Sequence, residues 1–255
     1  MGIALMTGRV AIFLLGLAAT AAAADSLAVA VASNFRLPAE EIAAQFRRDT
    51  GFEARLSTAS TGKHYAQIVN GAPFDVFLAA DSKHTGLLAE AHPDLAATRR
   101  TYAIGSLVLW SRATEFAGGG CRGALDAMGN RRIAMANPDI APYGAAARQF
   151  LVKAGLWAAI EPRAVFGENV AQAMHFVATG NAQLGLVARS QALDPRLPAA
   201  SCSWPVPAGL HEPILQQAIL LPHGRGNAAA VAFVEYLGSA AARDIIGRFG
   251  YGTPE

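Results

Sequence analysis

The chain has 255 residues, 53% of them hydrophobic, and a formal net charge of +2. That length allows one large domain or two modest lobes with a true core, and so small a charge gives no grip on nucleic acid or an anionic membrane surface. Charge runs are absent, so function has to reside in a local site.

The first residues set the compartment. Arg9 precedes an apolar run over 10–17, and an alanine-rich stretch then ends Ala22-Ala23-Ala24 before Asp25. A basic start, a short apolar core and small residues one and three positions before Asp25 read as a secretory signal peptide over residues 1–24. The run is too short for a membrane span, which needs about 20 apolar residues. No later segment could span a bilayer, so the mature chain is expected to be exported without membrane insertion. Export takes Cys121 and Cys202 to an oxidising compartment, where they either pair as a disulfide or stand as buried free thiols. Neither has the neighbours expected of a nucleophile or metal ligand.

From residue 27 onward, apolar β-prone runs alternate with amphipathic stretches, the pattern of an α/β chain. Residues 27–32 form the first strand. After Ser33-Asn34, the stretch 38–48 sets Ile42 and Phe46 at helical spacing, and Gly51 closes it. Phe52, Ala54 and Leu56 alternate as a half-buried strand. Thr61-Gly62 opens a second helix carrying Tyr65, Ile68 and Val69, closed at Asn70-Gly71, and 75–79 supplies a third strand.

The run 105–110 is a further strand, after which Gly118, Gly119 and Gly120 break the chain and the alternation restarts. The break reads as the crossover into a second lobe. Strands are expected there over 132–136, 164–166 and 184–188, with helices over 143–153 and 169–178. The proline-rich segment 195–213 reads as irregular. A strand over 217–221 then crosses back, and helices over 231–237 and 240–249 close the chain. The expected lobes are 25–104 with 215–255, and 105–214. Two lobes joined by two crossings make a hinged clamp, with a ligand between them.

Four strand-to-helix junctions share a chemistry: Ser33-Asn34, Ser60-Thr61-Gly62, Tyr143-Gly144 and Asn169-Val170 are small, polar or glycine-flanked, and uncharged. Junctions beyond the carboxyl ends of parallel strands are where α/β sheets bind ligands, and helix starts there present free N–H groups with a positive dipole end. At roughly half a charge per helix, about four such ends offset a dianion without a Lys or Arg side chain. Each junction alone is an ordinary helix cap; recurrence in both lobes sets the group apart. Backbone N–H groups donate and cannot accept, which suits a fully deprotonated dianion and leaves the O–H of a protonated phosphate without a partner.

Competing chemistries find less support. Lys63 after Gly62 suggests a phosphate loop, but His64 stands where Ser or Thr should be and no glycine lies five residues before Gly62. The six histidines show no metal-ligand spacing. Asp75 reads as buried packing and Asp81 as a helix cap. No nucleophile elbow is present, so an exported enzyme on the same scaffold has no local warrant.

The segments AVASNF (30–35), STGKHYAQIVNGAPFDVFLAAD (60–81), NPDIAPYG (137–144), ENVAQA (168–173) and GNAQLGLVARSQ (180–191) resemble the periplasmic molybdate-binding proteins of ABC transporters. The resemblance covers essentially the whole mature chain, and GAPFDVFLAAD and GNAQLGLVA are its most specific pieces. It implies a type II periplasmic binding protein fold, with two lobes that each hold a mixed, mainly parallel sheet flanked by helices. It also implies a periplasmic monomer that binds molybdate or tungstate, needs no cofactor, and serves an ABC-transporter permease. Asn34 and Thr61 of the first lobe and Tyr143 and Val170 of the second are the implied oxyanion ligands, with Ser33 and Ser60 close by. They would meet the metal only through the oxygens of molybdate. Asn34 would donate from side chain and backbone, Thr61 from hydroxyl and backbone, and Tyr143 and Val170 from backbone N–H groups alone. Ala188 departs from members that carry a tyrosine hydroxyl there. Sulfate or another tetrahedral oxyanion is the alternative ligand, because sulfate shares the charge and shape of molybdate and only cavity size separates the two.

Overall fold

The computed structural model describes residues 26–117, 120–126 and 128–254. The expected signal peptide, Gly118 and Gly119 lie outside the described residues.

In chain order the first lobe lays down β1 (Ser26–Ala32), α1 (Arg36–Thr50), β2 (Glu53–Ala59), α2 (Thr61–Val69), β3 (Val76–Ala79), α3 (Lys83–Ala91) and β4 (Arg100–Gly105). The second lobe continues with β5 (Leu107–Ser111), α4 (Gly120–Asp126), β6 (Ile133–Ala136), α5 (Pro142–Lys153), α6 (Trp157–Ile160), β7 (Ala164–Gly167), α7 (Val170–Ala178), β8 (Leu184–Ala188), α8 (Arg189–Ala192) and β9 (Cys202–Pro205). The chain then returns to the first with β10 (Ile214–Leu220), α9 (Ala228–Tyr236) and α10 (Ala240–Arg248).

The sheets run β2-β1-β3-β10-β4 and β7-β6-β8-β5-β9. In each, the first three strands are parallel and the fourth is antiparallel to its neighbours: β10 against β3 and β4, β5 against β8 and β9. The antiparallel strand in each lobe is the one that arrives from the other lobe. This is the two-lobed α/β architecture of type II periplasmic binding proteins.

Local sequence explains the elements that matter for the cleft. Residues 29–32 of β1 and all of β3, β6 and β8 are buried, as strands covered by helices on both faces must be. Helix α1 turns Ala39, Ile42 and Phe46 inward and stops at Gly51, whose φ of +82° and N–H to Arg47 O make a left-handed cap. Phe46 meets Phe233 edge-on at 5.1 Å between ring centroids, which seats α1 and α9 in the first core. Trp110, Phe150 and Leu186 anchor the second.

Two expectations are revised and one open alternative is settled. The run read as one strand over 105–110 is two: β4 ends at Gly105 in the first sheet and β5 begins at Leu107 in the second, with Ser106 between them. The crossing therefore precedes the glycine run that suggested it. Within the segment read as irregular, β9 pairs with β5 as an edge strand and ends at Pro205, where a missing N–H does no harm. The cysteines are paired: Cys121 of α4 is bonded to Cys202 of β9.

Candidate functional site

Strands β1, β2, β6 and β7 all end on the cleft, and each leads through a short junction into a helix. Behind β1 the chain makes a 3-10 turn over Ser33–Phe35 that leads into α1; α2, α5 and α7 start at Thr61, Pro142 and Val170. Ser33, Asn34, Ser60, Thr61, Tyr143 and Val170 converge on one small cavity between the lobes, joined by Asn169, Pro142 and alanines. No charged side chain lines it. Its volume, about 10 Å³, is far below the roughly 300 to 1,000 Å³ of pockets for drug-sized ligands and leaves room for nothing larger than a compact ion.

Each helix start leaves a donor for the cavity. Asn169 caps α7 by accepting from the N–H groups of Ala171 and Gln172 at 3.0 and 3.1 Å, and so passes over Val170, whose N–H has no intrahelical acceptor. Pro142 opens α5 without an N–H, which makes Tyr143 its first donor. In α2 the Ser60 hydroxyl accepts from Lys63 N–H at 3.4 Å, and Thr61 Oγ1 accepts from Ala80 N–H at 3.0 Å. An accepting hydroxyl still holds its proton, so both can donate into the cavity. These donors act in the positive field of three helix ends, each worth at most about 2 kcal/mol to an anion.

Asn34 differs from the sequence expectation. Its Nδ2 donates to Gln216 Oε1 at 2.7 Å and to Tyr251 Oη at 2.9 Å, which uses both amide protons away from the cavity. What Asn34 offers an anion is its backbone N–H. Behind this turn lies a buried polar cluster that local sequence gave no sign of. Ser190 Oγ donates to Asn34 O at 2.9 Å and Gln191 Nε2 to Ser33 O at 3.3 Å, both from α8 of the second lobe. Tyr251 Oη stands 2.8 Å from Asn34 O and 3.0 Å from Ser190 Oγ.

The Tyr143 side chain points the same way: its buried hydroxyl interacts with that of Tyr251, and a Cβ on Gly105 would strike it. Burial pushes the phenols of Tyr102, Tyr143 and Tyr251 well above their ordinary range, so the cluster is neutral. Ala188 ends β8 fully buried and does not line the cavity.

The carboxylates do other work. Buried Asp75 accepts from Ala28 N–H at 2.6 Å and pairs with His223, while Asp81 accepts from His84 N–H at 3.0 Å at the start of α3. Among the described residues no group of three or more His, Cys, Asp or Glu could hold a metal ion.

The family described as bacterial extracellular solute-binding protein matches residues 27–252. The chain belongs to that family. Membership makes it a binding protein of an ABC transporter and not a catalyst. Within the solute-binding family it is homologous to the molybdate-binding protein ModA of Azotobacter vinelandii, at 46% identity over 93% of this chain and 94% of that one. The ModA of Rhodobacter capsulatus is 41% identical over 94% and 92%. The solved Azotobacter vinelandii periplasmic molybdate-binding protein superposes with a TM-score of 0.82 at 38% identity, over 90% of this chain and all of that one. The sulfate-binding protein SubI of Mycobacterium tuberculosis, 12% identical with a TM-score of 0.72 over 90% and 87% of the two chains, shares the fold.

Proposed function

We propose that the protein captures molybdate, or tungstate, between its lobes and hands it to the permease of an ABC importer. The observation that carries the reading is a small interlobe cavity ringed by helix starts and hydroxyls with no charged side chain. Such a ring solvates a dianion through donors alone, and a protonated oxyanion would bring an O–H with no acceptor, at about 1 to 3 kcal/mol. Homology supports delivery of a small oxyanion; the choice of molybdate follows the names of the close relatives.

In this reading Asn34, Thr61, Tyr143 and Val170 donate through the backbone, Thr61 also through its hydroxyl, with Ser33 and Ser60 beside them. The metal is held only through its oxygens, and no cofactor takes part. The two lobes open and close about the crossings, at Ser106 and just before Ile214. Residues 1–24 direct the chain to the periplasm, and the mature protein acts there as a monomer. No helix among the described residues is long and apolar enough to cross a membrane.

Isothermal titration of the mature protein with molybdate, tungstate, sulfate and phosphate tests this. Heat and a raised melting temperature are expected with the first two; silence with both overturns the reading. Displacement of molybdate by equimolar sulfate would reassign the ligand while keeping the site.

A further inference from the structure

Gly62 is the second residue of α2, directly after Thr61, and nothing in its own backbone calls for glycine: it is not among the glycines with positive φ. Its surroundings do. Its N–H donates to the carbonyl oxygen of Ile140 at 3.0 Å, a bond from the first lobe to the second. A Cβ on residue 62 would lie 2.8 Å from that oxygen and 3.2 Å from Ile140 Cα.

The Ile140 carbonyl has little room to yield. The turn that carries it is tied by Asn137 N–H to Gly167 O at 2.8 Å, by Ala141 N–H to Asn137 O at 3.0 Å and by Asp139 N–H to Asn137 Oδ1 at 2.9 Å. Thr61 and Tyr143, donors from opposite lobes, stand one and three residues from the two ends of the Gly62 to Ile140 bond. That bond therefore sets how near the two halves of the ring approach. The neighbouring ion pair of Lys63 with Glu168, at 3.3 Å, also crosses the cleft, but its side chains are 52% and 66% exposed, which leaves it weak.

We propose that Gly62 is the closure residue of the clamp: its missing side chain lets α2 seat against the Ile140 carbonyl, and the bond they form holds the lobes shut over the captured oxyanion. The proposal rests on the oxyanion reading of the cavity. A residue that acts on closure changes the fraction of molecules in the binding-competent state, and apparent affinity falls by that fraction while the donors stay intact.

The test compares Gly62→Ala with wild type and with Gly247→Ala, a helical glycine of α10 with open space around it. Each protein is titrated with sodium molybdate, its release rate measured by stopped flow, and its radius of gyration followed by solution scattering with and without molybdate. Gly62→Ala is expected to keep or raise the melting temperature of the free protein, because alanine suits helical backbone better than glycine. It should lose about tenfold or more in affinity through faster release, and stay expanded when molybdate is added. Lys63→Ala and Gly247→Ala should change affinity by less than about threefold. Wild-type affinity and compaction in Gly62→Ala overturn the closure role alone, whereas a wild-type protein silent to molybdate overturns the reading of the cavity with it.

Discussion

The hydroxyl of Ser190 in the second lobe donates to the backbone carbonyl of Asn34 in the first, at 2.9 Å and away from solvent. Tyr251 reaches the same oxygen from the C-terminal segment at 2.8 Å. Filling the carbonyl side of the turn from behind leaves its N–H side to the cavity. Tyr251→Phe and Ser190→Ala are each expected to weaken molybdate binding by about 3- to 10-fold, the worth of one neutral hydrogen bond. Because both act on one oxygen, the double variant should lose other than the sum. Titration calorimetry on the four proteins checks this, and unchanged affinity in all of them would mean the turn is fixed by packing alone.

Thr61→Val keeps the shape of the side chain and removes its hydroxyl. A bond to a charged partner disappears, so affinity should fall about 10- to 100-fold. The hydroxyl also accepts from Ala80 N–H at 3.0 Å, so the variant orphans a buried donor in the free protein as well. A fall of about 2 to 10 °C in melting temperature is expected, and Thr61→Ser should recover both properties.

His64 is buried beneath the first turn of α2, with Nδ1 3.0 Å from Gln67 Oε1 and its ring edge-on to Phe74. Burial is the main cause that holds its pKa below the usual histidine value, with the Lys63 charge adding to it. A lowered folded value means the unfolded chain takes up the proton first. The full contribution is present above about pH 6.5 and is lost as pH falls through the folded value. Melting temperature should therefore drop between pH 7 and pH 5, and His64→Leu should flatten that part of the profile. An unchanged slope would remove His64 as the cause.

The bond between Cys121 and Cys202 closes a loop with a sequence separation of 81 residues. By loop-closure entropy it is worth about 4.5 kcal/mol. Cys121→Ser with Cys202→Ser should lower the melting temperature markedly, and a reducing agent should do the same to wild type and nothing to the variant. Molybdate binding at 25 °C should survive, because neither cysteine lines the cavity.

How much of the fold and site is legible in sequence depends on the range of the interactions involved. β1 and β8 are unbroken apolar runs, and Asn169 and Ser60 are local caps three residues or fewer from their partners, so a short window of sequence contains them. The boundary at Ser106 was hidden because residues on its two sides look alike and differ only in the sheet they join. β9 was hidden because a four-residue edge strand with alternate residues exposed carries little apolar signal. The orientation of Asn34 depends on Gln216 and Tyr251, 182 and 217 residues away, and no local pattern encodes such partners.

The way the two sheets borrow strands has a consequence for the order of assembly. β10 sits between β3 and β4, so until residues 214–220 are present β4 has no strand beside it and the first sheet stops at β3. The lobe that is begun first is thus finished last. A chain still emerging from the ribosome can close the second sheet, whose strands all lie between residues 107 and 205, but cannot complete the first until its last sixth has been made.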